Sequence, residues 1–340
     1  MRMPLFIVVH EMEARSLQSA GRIYVVDFIY VVDDAMEVPV PEERTVRMVE
    51  STGVRLYTEA TGSGPALVLV SGGGGDVAMY EQVVGLLADR YRVITFDRRG
   101  NSRSAFTEPD TAIDVATQAA DVVAILDAYG IDRALVFGNS GAAIIALEMI
   151  ARHSERVLAA IVHEPPLVQL LPADSPARQE IERIHQLAVN KSPMRAFAAF
   201  GVMTAPHLPA PLRSQAGQAV LAGGSTAALA VARTVHRITG RSPSPMTRIL
   251  GNTDLLLRRE LPSFCFDYQP DLTALRTTPV RWRPAVGRDS SGRPYFVAAE
   301  TLATRLGTTC VEFPGGHTAF QTDPGEFAEQ LLETLAELTS

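Results

Sequence analysis

Three hundred and forty residues, 46% apolar and 20% charged, can bury a sizeable core and fit one large α/β domain or two ordinary ones. Thirty-one basic and 38 acidic side chains leave a formal charge of −7 with no basic block, which argues against a nucleic-acid or anionic-membrane surface. Cys265 and Cys310 are far apart and without CxxC spacing, which excludes a cysteine zinc site and a disulfide framework and fits a reducing compartment.

No stretch reaches the roughly 18 apolar residues of a membrane span. The early run Pro4–Val9 falls short of the roughly 7–15 residues of a signal h-region and leads into His10, Glu11 and Glu13, so the expected location is cytoplasmic. Residues 1–40 differ in pattern from the rest of the chain: Ile23–Val32 is apolar and β-prone, and Pro39 and Pro41 stop any regular element. They could be an extra strand or hairpin on the domain. An extension outside the functional fold fits better, because Met36 is a natural start for a domain beginning near Thr45.

From Thr45 the signals become regular. TVRMVE and VRLYTEA alternate around a turn at Ser51-Thr52-Gly53 and predict an antiparallel pair. ALVLV (66–70) is the wholly apolar type of strand that is buried on both faces. A glycine run comes next, then a helix over about Ala78–Asp89, a strand RVITF (92–96) and a helix over about Ala112–Ala128 stopped by Gly130. The strand ALVFG (134–138), the helix Ala142–Arg152 and the strand VLAAIV (157–162) complete the series, and this alternation implies βαβ units and a parallel sheet.

Residues 165–275 break the rhythm with separate helical patterns at Ala177–Ala188, Gln215–Leu221 and Ala227–Arg237, divided by Pro- and Gly-rich joints. VRWRPAV (280–286), a helix near Tyr295–Leu306, TCVEF (309–313) and a helix Pro324–Leu338 restore it. The expected architecture is an α/β core, residues 41–164 and 276–340, interrupted between its sixth and seventh strands by a helical cap, residues 165–275.

The strongest chemical signal is Gly138-Asn139-Ser140-Gly141-Ala142 between a strand and a helix, the setting of a nucleophile elbow. Small residues let strand and helix approach while the serine hydroxyl stands above the sheet. Ala142 departs from the G-x-S-x-G pattern, but it too is small. The bland alternative is an ordinary turn serine. Ser71-Gly72-Gly73-Gly74-Gly75 comes directly after a buried strand, where a loop can donate one N–H to an oxyanion; Gly73 and Gly141 are the candidate donors. Its spacing is not G-x-G-x-x-G, so a dinucleotide fingerprint is excluded.

A serine nucleophile needs a histidine base. His317, in Phe313-Pro314-Gly315-Gly316-His317, comes directly after the last strand, the place the order Ser–acid–His requires. His10 lies in the N-terminal segment, His153 ends a helix, and His185, His207 and His236 fall in the helical insertion. His163 ends the sixth strand. Two carboxylates could orient the base: Asp289 after the seventh strand and Glu164 after the sixth. The bland readings are a solvated loop aspartate and a capping or salt-bridged glutamate. Spacing alone does not choose between them.

The elbow GNSGA, the glycine loop, VITFDRRGNSRS and PGGHTAF together resemble the α/β-hydrolase superfamily over about residues 45–340. Within it, GPALVLVSGGGG through AAIVHEPP is similar to the fungal lactone hydrolases that open zearalenone. Their acid is a glutamate in a Cys-His-Glu-Leu-Pro segment after the sixth strand. The match to Val162-His163-Glu164-Pro165-Pro166 implies that Glu164, rather than Asp289, is the triad acid, with Gly73 and Gly141 as oxyanion donors. Those lactonases hold the substrate ring with a cap tryptophan, whereas Trp282, the one tryptophan here, lies in the seventh strand. The resemblance therefore carries over the catalytic machinery and not the substrate.

The expected function is a serine hydrolase acting on an ester or lactone of a hydrophobic small molecule, with no metal or organic cofactor, no nucleic-acid or membrane partner, and room for a homodimer. Phe197, Phe200, Met203, Ile249 and Leu256 are the candidate pocket lining, with ordinary cap core as the equal alternative for most of them, and Asp97-Arg98-Arg99-Gly100 reads most simply as structural, with contact to a ligand mouth as the lesser alternative. A serine-dependent C–C hydrolase or a perhydrolase would use the same triad. A small-molecule receptor with a vestigial triad is the alternative from another class. Epoxide-hydrolase and dehalogenase chemistry is disfavoured, because it needs a carboxylate where Ser140 stands.

Overall fold

The eight strand signals from Thr45 onward pair into one sheet in the structure, a computed structural model that describes residues 8–11, 24–27, 44–109, 111–205 and 209–340. They are β1 (Arg44–Ser51), β2 (Val54–Thr61), β3 (Ala66–Val70), β4 (Arg92–Phe96), β5 (Ala134–Asn139), β6 (Val157–His163), β7 (Arg281–Gly287) and β8 (Val311–Phe313). Their order is β1-β2-β4-β3-β5-β6-β7-β8, and the two-residue strand Ala105–Phe106 pairs with β2 to make nine. β1–β2 and β2–β4 are antiparallel, and every pairing from β4 to β8 is parallel.

The parallel strands are apolar on both sides because helices cover both sides. Along β5, Leu135 and Phe137 enter one core while Ala134 and Val136 enter the other, the period of two that a pleated strand imposes. One face carries α2 (Val115–Ala128) and α3 (Gly141–Arg152), and the other carries α1 (Glu81–Ala88). Fully buried side chains such as Leu67 and Phe137 each contribute roughly 1.5–3 kcal/mol. Asp114 caps α2 by accepting from the Thr117 N–H, and Gly130, at φ +66°, lies just past its end.

Between β6 and β7 the chain is helical: α4 (Pro176–Asn190), α5 (Pro193–Thr204), α6 (Gln215–Thr239) and α7 (Pro245–Gly251) lead into π-helical turns at Leu256–Glu260 and Ser263–Asp267. Ser192-Pro193 and Ser244-Pro245 start α5 and α7 by one device: the serine side chain accepts an orphan N–H and proline sits where no N–H is needed. α6 corrects the expected break at Gly223-Gly224. It runs through both glycines as one 25-residue helix. Each glycine costs only about 1 kcal/mol relative to alanine, too little to end a helix whose flanks both propagate. After β7 come α8 (Pro294–Leu306) and α9 (Pro324–Thr339).

Val8–Glu11 pairs antiparallel with Tyr24–Asp27 in a separate two-stranded sheet and adds no strand to the main one. The rest of the segment read as an N-terminal extension, residues 1–40, lies outside the described residues, as does His207. Among the described residues no helix is long and apolar enough to cross a membrane.

Candidate active site

The β5–α3 turn puts Ser140 at φ 57° and ψ −128°, a conformation that costs a non-glycine residue about 1–3 kcal/mol. The turn is held from both sides. Ser140 N–H donates to the His163 carbonyl at 2.9 Å, and Ala143 N–H donates to the Ser140 carbonyl at 2.9 Å. Gly138 is obligatory, since a Cβ there would lie 2.4 Å from the Ala142 carbonyl oxygen. Ala142 itself is fully buried.

Parallel strands deliver their C-terminal ends to one edge of the sheet, so the residues after β5, β6 and β8 meet. Glu164 comes after β6 at φ 51° with its side chain fully buried. One carboxylate oxygen accepts from His317 Nδ1 at 2.6 Å and the other from the Gly287 N–H at 2.8 Å. Burial works to raise the Glu164 carboxyl, but the His163 and His317 imidazoles overbalance it and hold the pKa below its ordinary value. An ionised Glu164 accepts only, so the His317 Nδ1 carries the proton of this hydrogen bond and Nε2 is the ring atom turned away from Glu164.

Asp289 is not part of this group. It sits exposed in the turn Arg288–Ser290; its N–H donates to the Gly315 carbonyl, and its carboxylate makes no hydrogen bond among the described residues. The geometry thus distinguishes two carboxylates that spacing left equal.

Three further side chains shape the site. Asn139 donates through Nδ2 both to His163 Nδ1 at 2.9 Å and to the His317 carbonyl at 3.1 Å, so the residue before Ser140 ties down the histidine loop. His163, fully buried, has its pKa pushed down to about 4 by loss of hydration. Tyr295 stacks on the His317 ring at 3.8 Å between centroids and 25° between planes. The sequence singles out neither Asn139 nor Tyr295. The only signal was the polar residue within the elbow itself, and Tyr295 lies on a helix that reads as ordinary core.

Ser140, Gly73, Gly141 and Tyr295 border one cavity of about 40 Å³, closed on the far side by Phe200, Met203, Leu256 and Phe264 of the helical insertion. Phe197 and Ile249, expected beside them, do not line it; Phe197 packs on Met194, Ala222 and Leu250, and Ile249 lies against Gly74. Arg98 and Glu260 do line it, so the Asp97-Arg98-Arg99-Gly100 loop reaches the cavity after all. Neither Gly73 N–H nor Gly141 N–H has an acceptor among the described residues. Cys265 also borders the cavity, but burial pushes its thiol up to about 12, which removes it as a rival nucleophile near neutral pH. Trp282 lies elsewhere, its indole N–H directed to the Leu275 carbonyl. Among the described residues no group of three or more His, Cys, Asp or Glu could hold a metal ion.

A family model described as alpha/beta hydrolase fold matches residues 65–190. The chain is 30% identical to the uncharacterized hydrolase YraK of Bacillus subtilis (strain 168) over 286 residues, covering 83% of this chain and 93% of that protein. It is 30% identical to the zearalenone hydrolase of Bionectria ochroleuca over 288 residues, 83% of this chain and 94% of that protein. Among solved structures it is similar to Est816, described as an N-acyl homoserine lactone degrading enzyme, with a TM-score of 0.57, 21% identity, and coverage of 84% of this chain and 99% of that one.

Proposed function

The chain belongs to the α/β-hydrolase family, and from that membership we propose that it is a serine hydrolase that cleaves a carboxylic ester or lactone of a hydrophobic small molecule through an acyl-enzyme. The observation that carries the reading is the buried Glu164–His317 hydrogen bond at 2.6 Å beside a cavity bordered by Ser140 and two unengaged glycine N–H groups. His317 Nε2 takes the Ser140 proton as Oγ attacks the carbonyl carbon. Negative charge then forms on the carbonyl oxygen, where the Gly73 and Gly141 N–H groups stabilise it. His317 returns the proton to the departing alkoxide and afterwards activates water to release the acid. Glu164 fixes the imidazole tautomer and stabilises the imidazolium.

The apolar lining from the insertion, which we read as a cap, supports a hydrophobic acyl or aromatic substrate. The cavity, about 40 Å³, lies between the sheet edge and the insertion.

Hydrolysis of p-nitrophenyl esters and of zearalenone by wild type and by Ser140→Ala, Glu164→Gln and Asp289→Asn tests the reading. Ser140→Ala should abolish acyl-enzyme turnover. Glu164→Gln should lower kcat by roughly 10²–10⁴-fold, because the wrong tautomer is stabilised, while Asp289→Asn stays within about twofold of wild type. Turnover that survives Ser140→Ala refutes the nucleophile, and an absence of any Ser140-dependent turnover favours a receptor with a silent triad.

A further inference from the structure

The glycine loop between β3 and α1 has almost no side chains with which to hold its own shape. Glycine on both sides of the Gly72–Gly73 peptide leaves it free of the Cβ contacts that ordinarily bias a peptide orientation. That peptide matters, because it is planar and trans: fixing the Gly72 carbonyl in one direction fixes the Gly73 N–H in the opposite one.

The Gly72 carbonyl is held twice. Arg98 Nη2 donates to it at 3.0 Å, and the Gly75 N–H donates to it at 3.1 Å. Arg98 also donates through Nε to the Ser71 carbonyl at 2.8 Å, and its own N–H donates to the Gly75 carbonyl at 2.8 Å. Both of these holds are in turn contacted by the helical insertion, alongside Gln118 of α2, whose Oε1 accepts from Arg98 Nη1 at 2.7 Å. Glu260, in the first π-helical turn, grips the Arg98 guanidinium with both carboxylate oxygens at 2.5 and 2.8 Å. Asn252, which caps α7, donates to the Gly74 carbonyl at 2.6 Å and so fixes the Gly74–Gly75 peptide, whose other end supplies the Gly75 N–H. Asn252 is itself oriented by Ser102, whose N–H donates to its Oδ1 at 2.9 Å. The insertion is also anchored just beyond the loop, where Arg248 of α7 pairs bidentately with the buried Asp76.

Arg98 and Glu260 are buried to within about 1% of full burial. A buried ion pair is weak as a source of stability, since desolvating both charges offsets most of their attraction. What a bidentate pair does supply is direction, because the guanidinium fork has one matching orientation. Here that direction is transmitted to a glycine peptide.

We propose that docking of the insertion assembles the oxyanion site: Asn252 and the Arg98–Glu260 pair are positioning residues that set the Gly72–Gly73 peptide so that its N–H faces the reacting carbonyl oxygen beside Ser140. The proposal rests on the acyl-transfer reading above. Its consequence is that loosening the contacts of the insertion with this loop leaves the Gly73 N–H unaligned.

The test is steady-state hydrolysis of the best p-nitrophenyl ester by full-length Glu260→Gln and Asn252→Ala, with the affinity of each for a trifluoromethyl ketone, which forms a charged tetrahedral adduct on serine. Each variant should lose roughly 10–100-fold in kcat, a part of the effect of deleting an oxyanion donor. KM should stay within about threefold, and ketone affinity should fall in step with kcat/KM. The two variants lie on different arms of the device, so if one fails to fold the other still decides. A raised KM with unchanged kcat, a kcat within threefold of wild type, or a lost kcat with unchanged ketone affinity overturns the positioning role. Turnover that survives Ser140→Ala overturns the acyl-transfer reading and this proposal with it, whereas turnover lost in Ser140→Ala but intact in both variants overturns the positioning role alone.

Discussion

His163 shows how one residue can serve the site without touching a reacting atom. Asn139 donates to its Nδ1, so the ring proton sits on Nε2, which has no hydrogen-bond acceptor among the described residues, and the ring packs among Phe137, Phe313 and Phe327. The neutral ring fits; the imidazolium would be a buried charge. With the pKa lowered from 6.5 to about 4, the unfolded chain binds a proton across this interval that the folded chain does not. Folding stability therefore falls as pH drops through the interval, by about 3 kcal/mol from this group. Urea unfolding at pH 7 and at pH 4.5 should show His163→Leu losing less stability than wild type over that span, although the variant starts lower because Asn139 loses its acceptor. Equal losses in both proteins would mean that His163 is hydrated or charged. The adjacent Glu164, held below its ordinary pKa, adds acid sensitivity of the same sign at the lower end of this range, because the unfolded chain takes up that proton before the folded chain does.

At the scale of elements, the β5–α3 junction depends on how closely a strand and a helix approach. A methyl on Gly138 would meet Ala142 O at 2.4 Å, Ala142 C at 2.8 Å and Ala143 Cα at 3.0 Å, all backbone atoms that cannot rotate aside. Gly138→Ala should therefore destabilise by about 1–3 kcal/mol through overpacking. Because α3 must move to relieve the contact, the proposed nucleophile moves too, and turnover should fall by more than the loss of folded protein explains. Thermal melts alongside initial rates separate the two effects. A Gly138→Ala protein with wild-type stability and rate would show that the junction is slack. α6 gives the opposite lesson in its middle, where Gly223 and Gly224 are exposed and meet nothing within 4 Å, whereas at Gly217 in its first turn a Cβ would lie 2.2 Å from the Pro211 carbonyl oxygen. A glycine constrains an element only where something stands against it.

Over the whole molecule, contacts between the insertion and the sheet run through charged and amide groups as well as apolar packing. Arg248–Asp76 and Glu260–Arg98 join segments 172 and 162 residues apart in sequence. By contrast, among the described residues the strands Val8–Glu11 and Tyr24–Asp27 pair only with each other. We therefore propose that residues 1–35 are dispensable for the fold. Their deletion should shift Tm by no more than about 2 °C, and a larger fall in a thermal melt would assign them a place in it.

Much of this architecture is legible in local sequence. Wholly apolar five- and six-residue strands, helices with a capping Asp114 or a Ser-Pro start, and the strand–turn–helix around Ser140 arise from rules that act within about a dozen residues. Local signals also mark His317 after the last strand, where a base is needed. Tertiary structure decided what depends on direction across the sheet edge. Glu164 and Asp289 both come after parallel strands and look alike by spacing, but only Glu164 turns inward, at φ 51°, onto His317 and the Gly287 N–H. The reach of Arg98 to Glu260 and the hold of Asn252 on Gly74 were equally hidden. A sequence encodes each residue's own conformational preferences directly, whereas a contact between segments more than 150 residues apart exists only once the sheet and the insertion have set their distance and angle.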